Sequence, residues 1–105
     1  MIEWIDVGGE SDFEVGESYE LVVQDRIVAL FRLHDAFHAM DGVCPHQGGP
    51  LGKGKLDGCI LTCPWHGWQF DVQAGQSQLS PGVRHPTFDT KIEDGRVFVA
   101  FDRRT

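Results

Sequence analysis

Two stretches of the sequence decide the fold: CPHQGGPL at residues 44–51 and CPWHGWQFD at residues 63–71. Each begins with a Cys-Pro pair and continues to a histidine, so the pattern is C-x-H, sixteen residues, and then C-x-x-H. Thiolate and imidazole are the side chains that bind iron–sulfur clusters, zinc or copper. Two such pairs, separated by a hairpin-sized excursion, predict four ligands that converge on one metal site. The candidate ligands are Cys44, His46, Cys63 and His66.

The residues around this pattern predict strands. Apolar and polar residues alternate over short stretches separated by Gly and Asp, and no window sustains the spacing of an amphipathic helix. Asp94-Gly95 is a strong hairpin signal, and His34-Asp35 is the predicted turn of a second hairpin. The predicted fold class is all-β, a small antiparallel sandwich or barrel. The predicted strands are Ile2–Val7, Ser18–Gln24, Arg26–Leu33, Phe37–Asp41, Cys59–Thr62, Gln69–Val72, Asp89–Glu93 and Arg96–Asp102.

Three segments interrupt the alternation and predict loops. They cover residues of about 42–54, 63–71 and 79–86, and they are rich in Gly and Pro. The first two contain all four candidate ligands, and the third contains Pro81-Gly82. Loops on a rigid β scaffold are a common place for function. We therefore expect the three loops to cluster at one end of the fold.

The length and charge of the chain limit its function. At 105 residues, the chain is expected to form one domain over residues 1–105. A net charge of −7 makes nucleic acid and anionic membranes poor partners. No stretch resembles a targeting or membrane segment, so a cytoplasmic protein is expected. Three cysteines make a poor disulfide framework, since one must be left over.

The charge is distributed unevenly along the chain. Eight acidic residues and no Lys or Arg occur between Met1 and Asp25. Such a run is typical of a solvated surface, but it also fits an acidic surface that steers a basic partner. The sequence leaves both interpretations open.

The ligand set alone leaves two metals in competition. Equal numbers of Cys and His are typical of a structural zinc site as well as of some iron–sulfur centres. Gly48, Gly49 and Gly67 free the backbone to turn tightly, so that amide groups can approach sulfur. Pro45 and Pro64 stiffen the loops just after each cysteine.

The wider string resembles the Rieske family of 2Fe–2S proteins, from about Val28 to Phe101. This resemblance implies a Rieske-type fold in which the ligand loops form a cluster-binding subdomain and the loop at residues 79–86 covers the cluster. It further implies that Cys44 and Cys63 bind the inner iron, and that His46 and His66 bind the outer iron. The residues expected to surround the cluster are Gly48, Gly49, Trp65, Gly67, Trp68, Phe70 and Pro81.

Departures from the high-potential members of that family imply a low reduction potential. Those members carry an extra disulfide at positions that correspond here to Gly49 and Trp65, so the disulfide cannot form. They also donate hydroxyl hydrogen bonds to the cluster from positions that correspond here to Trp68 and Phe70, which have no hydroxyl. Fewer donors stabilise the reduced cluster less, which lowers the potential.

The resemblance implies an electron carrier with no catalytic site of its own. The chain lacks the length for the domain in which Rieske oxygenases hold their mononuclear iron. We expect one 2Fe–2S cluster per chain, which receives electrons from a flavin reductase and passes them to a terminal oxygenase. The small subunit of an assimilatory nitrite reductase, acting with its large subunit, is the alternative, and a structural zinc domain is the third.

The remaining conspicuous residues have plainer interpretations. Cys59 is expected to be a buried, inert thiol, and Trp4 in the first strand is expected to lie in the core. Trp65 and Trp68 either shield the cluster from water or offer an apolar centre for docking. His38 and His85 are expected to be surface or hydrogen-bonded histidines, as is His34.

Overall fold

Eleven strands and two short 3-10 turns make up the described part of the chain. The structure is a computed structural model and describes residues 1–34, 36–45, 48–65, 67–80 and 82–102. The 3-10 turns cover Glu10–Asp12 and Leu51–Lys53. The strands are β1 (Ile2–Gly9), β2 (Ser18–Val23), β3 (Arg26–Arg32), β4 (Phe37–Asp41), β5 (Lys55–Asp57), β6 (Ile60–Thr62), β7 (Gln69–Asp71), β8 (Gln76–Ser77), β9 (Thr87–Phe88), β10 (Thr90–Glu93) and β11 (Arg96–Asp102).

Two antiparallel sheets form a barrel-like body, which we call the barrel. One sheet has the order β1-β11-β10 and the other has the order β2-β3-β4-β9. Side chains that alternate along these strands face inward and form the first core cluster. Its buried members are Phe13, Val23, Val28, Leu30, Phe37, Ala39, Val97, Val99 and Phe101. The Thr90 hydroxyl donates to the Phe37 carbonyl at 2.7 Å and so ties the two sheets together.

A third sheet carries the ligand motifs and is built from the segment between β4 and β9. Its order is β5-β6-β7-β8, all antiparallel. We call residues 42–86 the loop subdomain. Its inward side chains pack on the outer face of β3 and form a second core cluster. The buried members are Ala29, Phe31, Met40, Cys44, Leu51, Leu61, Cys63, Phe70 and Val72.

The predicted all-β class is confirmed, and the long strands agree best with the sequence. β4 and β11 begin and end where the alternation predicts, and β1, β2, β3, β6, β7 and β10 differ by one or two residues at an end. The alternation did not reveal β5, β8 or β9. These strands are two or three residues long, too short to show a period.

The turns explain where the barrel strands end. Asp94 and Gly95 have φ of 51° and 76°, so the predicted hairpin turn between β10 and β11 is confirmed. Gln24 and Asp25 adopt the same left-handed pair between β2 and β3. β3 and β4 also form a hairpin, with Arg32 opposite Phe37. Of its predicted turn, Asp35 lies outside the described residues.

Trp4 is a correction to the sequence analysis. Its side chain is 40% exposed, whereas Ile5 and Val7 pack against the first core cluster. Since neighbours on a strand point to opposite faces, the position of Ile5 forces Trp4 outward. The Lys91 ammonium lies 4.5 Å from the centre of the Trp4 ring and covers it.

Within the part of the chain that the structure describes, no helix has the length and hydrophobicity needed to cross a membrane.

Candidate metal centre

The first ligand loop, residues 42–50, is closed by backbone hydrogen bonds around Cys44. The Cys44 amide donates to the Gly49 carbonyl at 2.8 Å, and the Gly48 amide donates to the Cys44 carbonyl at 2.9 Å. Val43 pairs with Pro50 across the base of the loop. The chain therefore leaves β4, turns within six residues and returns beside itself.

The second ligand loop, residues 63–68, is closed in the same way. The Cys63 amide donates to the Trp68 carbonyl at 2.7 Å, again from the cysteine to the residue five positions later. Gly48 and Gly67 each follow their cysteine by four positions, and their φ angles are 76° and 72°. A side chain at either position would be strained in this left-handed region. The two loops thus share one backbone conformation, with a hydrogen bond from the cysteine amide to the carbonyl five residues later and a left-handed glycine just before that carbonyl.

Gly49 brings the two loops into contact. A Cβ atom on Gly49 would lie 2.8 Å from the Cys63 sulfur and 2.9 Å from the Trp65 Cβ. Both distances are shorter than real Cβ contacts, so only glycine fits here. The absence of a side chain at this position lets the backbone of one loop reach the thiol of the other.

The two cysteines at the loop bases are buried and free. Cys44 is 2% exposed and Cys63 is 1% exposed, and neither forms a disulfide. Burial raises the pKa of the Cys63 thiol, the Trp65 backbone amide opposes this rise, and the neighbouring Cys44 thiol adds to it. A shared cation would relieve both effects, because it favours the thiolate form of each sulfur.

The other predicted ligands lie outside the described residues. These are His46 and His66, and the same holds for Pro81 in the third loop (residues 79–86). Their described neighbours Pro45, Trp65 and Gly67 belong to the two ligand loops. The assignment of the two histidines as ligands stays a prediction.

Comparison with known proteins identifies the family. The sequence profile described as the Rieske [2Fe-2S] domain matches residues 3–94. The chain belongs to the Rieske family. A curated Rieske relative, the ferredoxin component of an alkene monooxygenase system from Xanthobacter autotrophicus, is 40% identical over 93% of this chain and 81% of its own length.

Solved structures share the Rieske fold. A chain from the complex of reduced oxygenase and oxidised ferredoxin of carbazole 1,9a-dioxygenase has a TM-score of 0.86, 32% identity and coverage of 97% of this chain and 96% of its own. The NADH-dependent nitrite reductase small subunit from Mycobacterium tuberculosis has a TM-score of 0.90 at 23% identity, with 99% of both chains covered. At that identity the second likeness shows the fold alone.

The described residues fit a 2Fe–2S cluster, the group that the family description names. Two buried thiols, side by side and unbridged, are a suitable pair of ligands for one iron. The left-handed glycines and the bare position at Gly49 leave amide groups open to nearby sulfur. Binding of a metal here would also stabilise the loop subdomain, since the second core cluster contains both thiols.

Positions 49 and 65 are neighbours in space, as the Rieske comparison of their sequence positions implies. A Cβ on Gly49 would touch Trp65, so this is the place where high-potential Rieske members join their loops by a disulfide. Here the contact between the loops is made by van der Waals packing of the Trp65 side chain. Half of the Trp65 side chain (50%) remains exposed.

Aromatic rings pack in the same core cluster as the two buried cysteines. Phe70 is fully buried in the second core cluster with Cys44 and Cys63. The Trp68 ring lies 6.3 Å from the Phe70 ring, and the His85 ring lies 5.7 Å from it on centroids. Neither Phe70 nor Trp68 has a hydroxyl, so neither can supply a hydroxyl donor to the site.

Two residues hold the loops in ways that the sequence did not predict. They are Asp41 and His85. The Asp41 carboxylate accepts a hydrogen bond from the Val43 amide at 3.0 Å. His85 is 6% exposed, and its Nε2 lies 2.8 Å from the Asp41 carbonyl. The hydrogen-bonded interpretation of His85 is confirmed. An Asp directly before the loop was the one available signal, because such residues often accept from the amide two positions later.

Two further sequence expectations are refined. Cys59 is half-buried rather than buried, and it packs against the second core cluster. The acidic N-terminal run is partly neutralised inside the chain. Basic residues from elsewhere pair with three of its members, in the ion pairs Asp6–Arg96, Glu10–Arg32 and Glu20–Lys53.

Proposed function

We propose that this chain is a one-electron carrier, a Rieske ferredoxin that holds one 2Fe–2S cluster. The observation that carries the proposal is the pair of matching loops, each closed from a cysteine amide to the carbonyl five residues later, with the two thiols buried side by side. Family membership and ferredoxin relatives support it. The proposed ligands are Cys44, His46, Cys63 and His66.

The residues of the chain would bind and shield the cluster rather than transform a substrate. The cluster supplies reversible transfer of a single electron when it is bound. Cys44 and Cys63 would anchor one iron below the surface, and His46 and His66 would bind the other, as the family resemblance implies. Phe70 and the surrounding apolar side chains would exclude water from the sulfur-rich side.

The proposed partners are a flavin reductase as donor and a terminal oxygenase as acceptor. The support is the oxygenase systems to which the relatives belong. Exposed Trp65 directly precedes His66 in the sequence and offers a large apolar contact of the kind found at the centres of protein interfaces. We also propose that residues 1–105 act as a single domain in the cytoplasm, where free thiols persist.

Spectroscopy of the purified protein tests the cluster directly. We expect a brown protein that contains two iron atoms for each chain and gives a Rieske EPR signal after reduction. Reduction by a flavin reductase, followed by reoxidation on mixing with an oxygenase, tests the role. A colourless protein that contains zinc would contradict the proposal.

The nitrite reductase small subunit is the second candidate. A nitrite reductase small subunit has the same fold, with a TM-score of 0.90 over 99% of both chains, so the ferredoxin and small-subunit roles must be separated by experiment. Stable copurification with a large sirohaem enzyme would support it. Transient, salt-sensitive binding to a reductase would instead support the ferredoxin role, because electron carriers must dissociate after each transfer.

A further inference from the structure

We propose that Asp41 is a positioning residue that couples the first ligand loop to the third loop, with His85 as its partner. The inference rests on the proposed cluster only for its spectroscopic test. Asp41 is the last residue of β4 and lies three positions before Cys44.

Four atoms of Asp41 contact three different segments: the first ligand loop, the start of β3 and the end of the third loop. Its Oδ1 accepts from the Val43 amide at 3.0 Å, and its Oδ2 lies 3.8 Å from the Arg26 guanidinium. Its amide donates to the Pro86 carbonyl at 3.0 Å, and its carbonyl lies 2.8 Å from His85 Nε2. Because a carbonyl only accepts, Nε2 must carry the proton.

The carboxylate contact acts on the first ligand loop. Val43 directly precedes Cys44, so the hydrogen bond to its amide fixes the backbone immediately before a predicted ligand. The next residue, Gly42, leaves no room for adjustment. A Cβ there would lie 2.5 Å from the Ile27 side chain, and the Gly42 amide donates to the Ile27 carbonyl at 2.9 Å.

The backbone contacts of Asp41 act on the third loop. His85 and Pro86 end that loop, and both bind the main chain of Asp41. His85 is also buried against the Phe70 ring and donates its amide to the Gly75 carbonyl at 2.7 Å. A rigid His85 therefore transmits the position of the third loop to the strand that leads to Cys44.

Arg26 ties this junction to the barrel. Its guanidinium carbon lies 4.9 Å from the Phe88 ring centre and 5.0 Å from the Phe101 ring centre. The weak, half-exposed ion pair with Asp41 thus starts from a side chain that is held in place by stacking. Asp41 therefore connects both the first ligand loop and the third loop to the barrel.

A matched set of variants tests the coupling in the full-length protein. Asp41→Ala removes the carboxylate, while Asp41→Asn keeps an oxygen that can accept from Val43. Asp71→Ala is the control, because Asp71 makes the same local turn at the end of β7, with its carboxylate 2.9 Å from the Gln73 amide. His85→Phe keeps a ring against Phe70 but removes the hydrogen bond to Asp41.

Hydrogen exchange of residues 42–50, followed by mass spectrometry, gives a readout that needs no cluster. We expect Asp41→Ala to speed exchange roughly three- to ten-fold, as the loss of one net hydrogen bond implies. His85→Phe should speed exchange of the same segment by a smaller factor, and Asp71→Ala and Asp41→Asn should leave it near the wild-type rate. Wild-type exchange in Asp41→Ala, or in His85→Phe, would overturn the coupling.

The EPR signal of the reduced protein gives the second readout. Asp41→Ala should shift the g-values and Asp41→Asn should restore them, whereas a merely structural role would leave the signal of every folded variant unchanged. If Asp41→Asn shifts the signal as much as Asp41→Ala does, charge rather than the turn is responsible and the proposal is wrong. If Asp41→Ala does not fold, Asp41→Ser takes its place, since its shorter hydroxyl caps the turn weakly. A wild-type protein without the Rieske signal would contradict the proposed function, and the exchange measurements would still decide the coupling.

Discussion

The barrel and the loop subdomain are both antiparallel β-structures with a buried core, but they differ in strand length and in what their cores contain. The barrel has strands of up to eight residues, and its core consists of side chains that need no chemistry beyond burial. The loop subdomain has strands of two or three residues, and its core includes two thiols. Apolar burial, with hydrogen bonds and surface ion pairs, stabilises the first region, whereas the second also depends on what its cysteines bind.

This difference predicts which substitutions affect the stability of the protein and which affect the iron–sulfur cluster. Changes in the barrel should lower the stability and leave the spectrum of the cluster intact. Changes in the loop subdomain should alter the iron–sulfur cluster before they lower the stability of the barrel.

The largest effect is expected for Cys63→Ala. It removes a predicted ligand that is 1% exposed in the second core cluster. We expect complete loss of colour, iron and EPR signal, with circular dichroism of the barrel strands retained. Cys59→Ala is the matched control, and it should keep the spectrum because Cys59 lies only at the edge of that cluster. Retention of the Rieske signal in Cys63→Ala would refute the ligand assignment.

Gly49→Ala should come next, because it pushes the two ligand loops apart. The new Cβ would stand 2.8 Å from the Cys63 sulfur, so the loops must shift. Such overpacking costs about 1–3 kcal/mol of unfolding free energy. Thermal unfolding and the rate of bleaching measure the effect. Gly82→Ala serves as control, since nothing lies within 4 Å of its added Cβ. Equal behaviour of the two variants would contradict contact between the loops.

Phe70→Tyr should change the reduction potential without loss of the cluster. The wild-type potential is expected in the lower part of the Rieske range, at roughly −150 to 0 mV. A hydroxyl that favours the reduced cluster by about 0.7–1.4 kcal/mol raises the potential by about 30–60 mV. Spectroelectrochemistry measures this shift. Phe101→Tyr adds the same hydroxyl to the barrel core and should leave the potential unchanged. A potential that does not move in Phe70→Tyr would eliminate hydroxyl donation as the cause.

The smallest effect is expected for Asp6→Asn in the barrel. The Arg96 guanidinium, at 3.0 Å, lowers the pKa of the Asp6 carboxyl. A lowered pKa gives stability that is present above the unfolded-state pKa and is lost as the pH falls through the folded-state pKa. The variant should therefore melt slightly earlier than wild type at pH 7, and the difference should vanish in acid. Thermal melts from pH 7 to pH 2 measure it. A difference that grows on acidification would reverse the assigned sign.

The sequence predicts the barrel better than the loop subdomain for a physical reason. A strand with one buried face must alternate, so the bounds of β4 and β11 can be read from the residues. In the loop subdomain, β5 and β8 have three and two residues, too few to show a period, and the same holds for β9 at the edge of the barrel. Trp4 shows that the hydrophobicity of a residue does not predict its burial unless its place in the alternation of the strand is known. Its position opposite to Ile5 and Val7 decides its exposure, not its size.

The candidate site divides in a similar way. Spacing and glycine content could predict that Cys44 and Cys63 lie on adjacent loops, because both properties are local. The part played by Asp41 could not be predicted, since its carbonyl contact with His85 spans 44 residues of sequence. Contacts of this kind follow from how the third loop folds back, and no nearby pattern encodes them.

The two loops that close from a cysteine amide to the carbonyl five residues later make the site open to variation. Main-chain atoms alone form each closure, so the positions between its ends are free to change, except for the two proposed histidine ligands and the two left-handed glycines. Natural selection or a protein engineer can substitute residues such as Gln47 or Trp65 to alter electron affinity or partner choice, and the enclosing backbone path is preserved. The geometry that holds the metal and the surface that distinguishes one partner from another can therefore evolve separately.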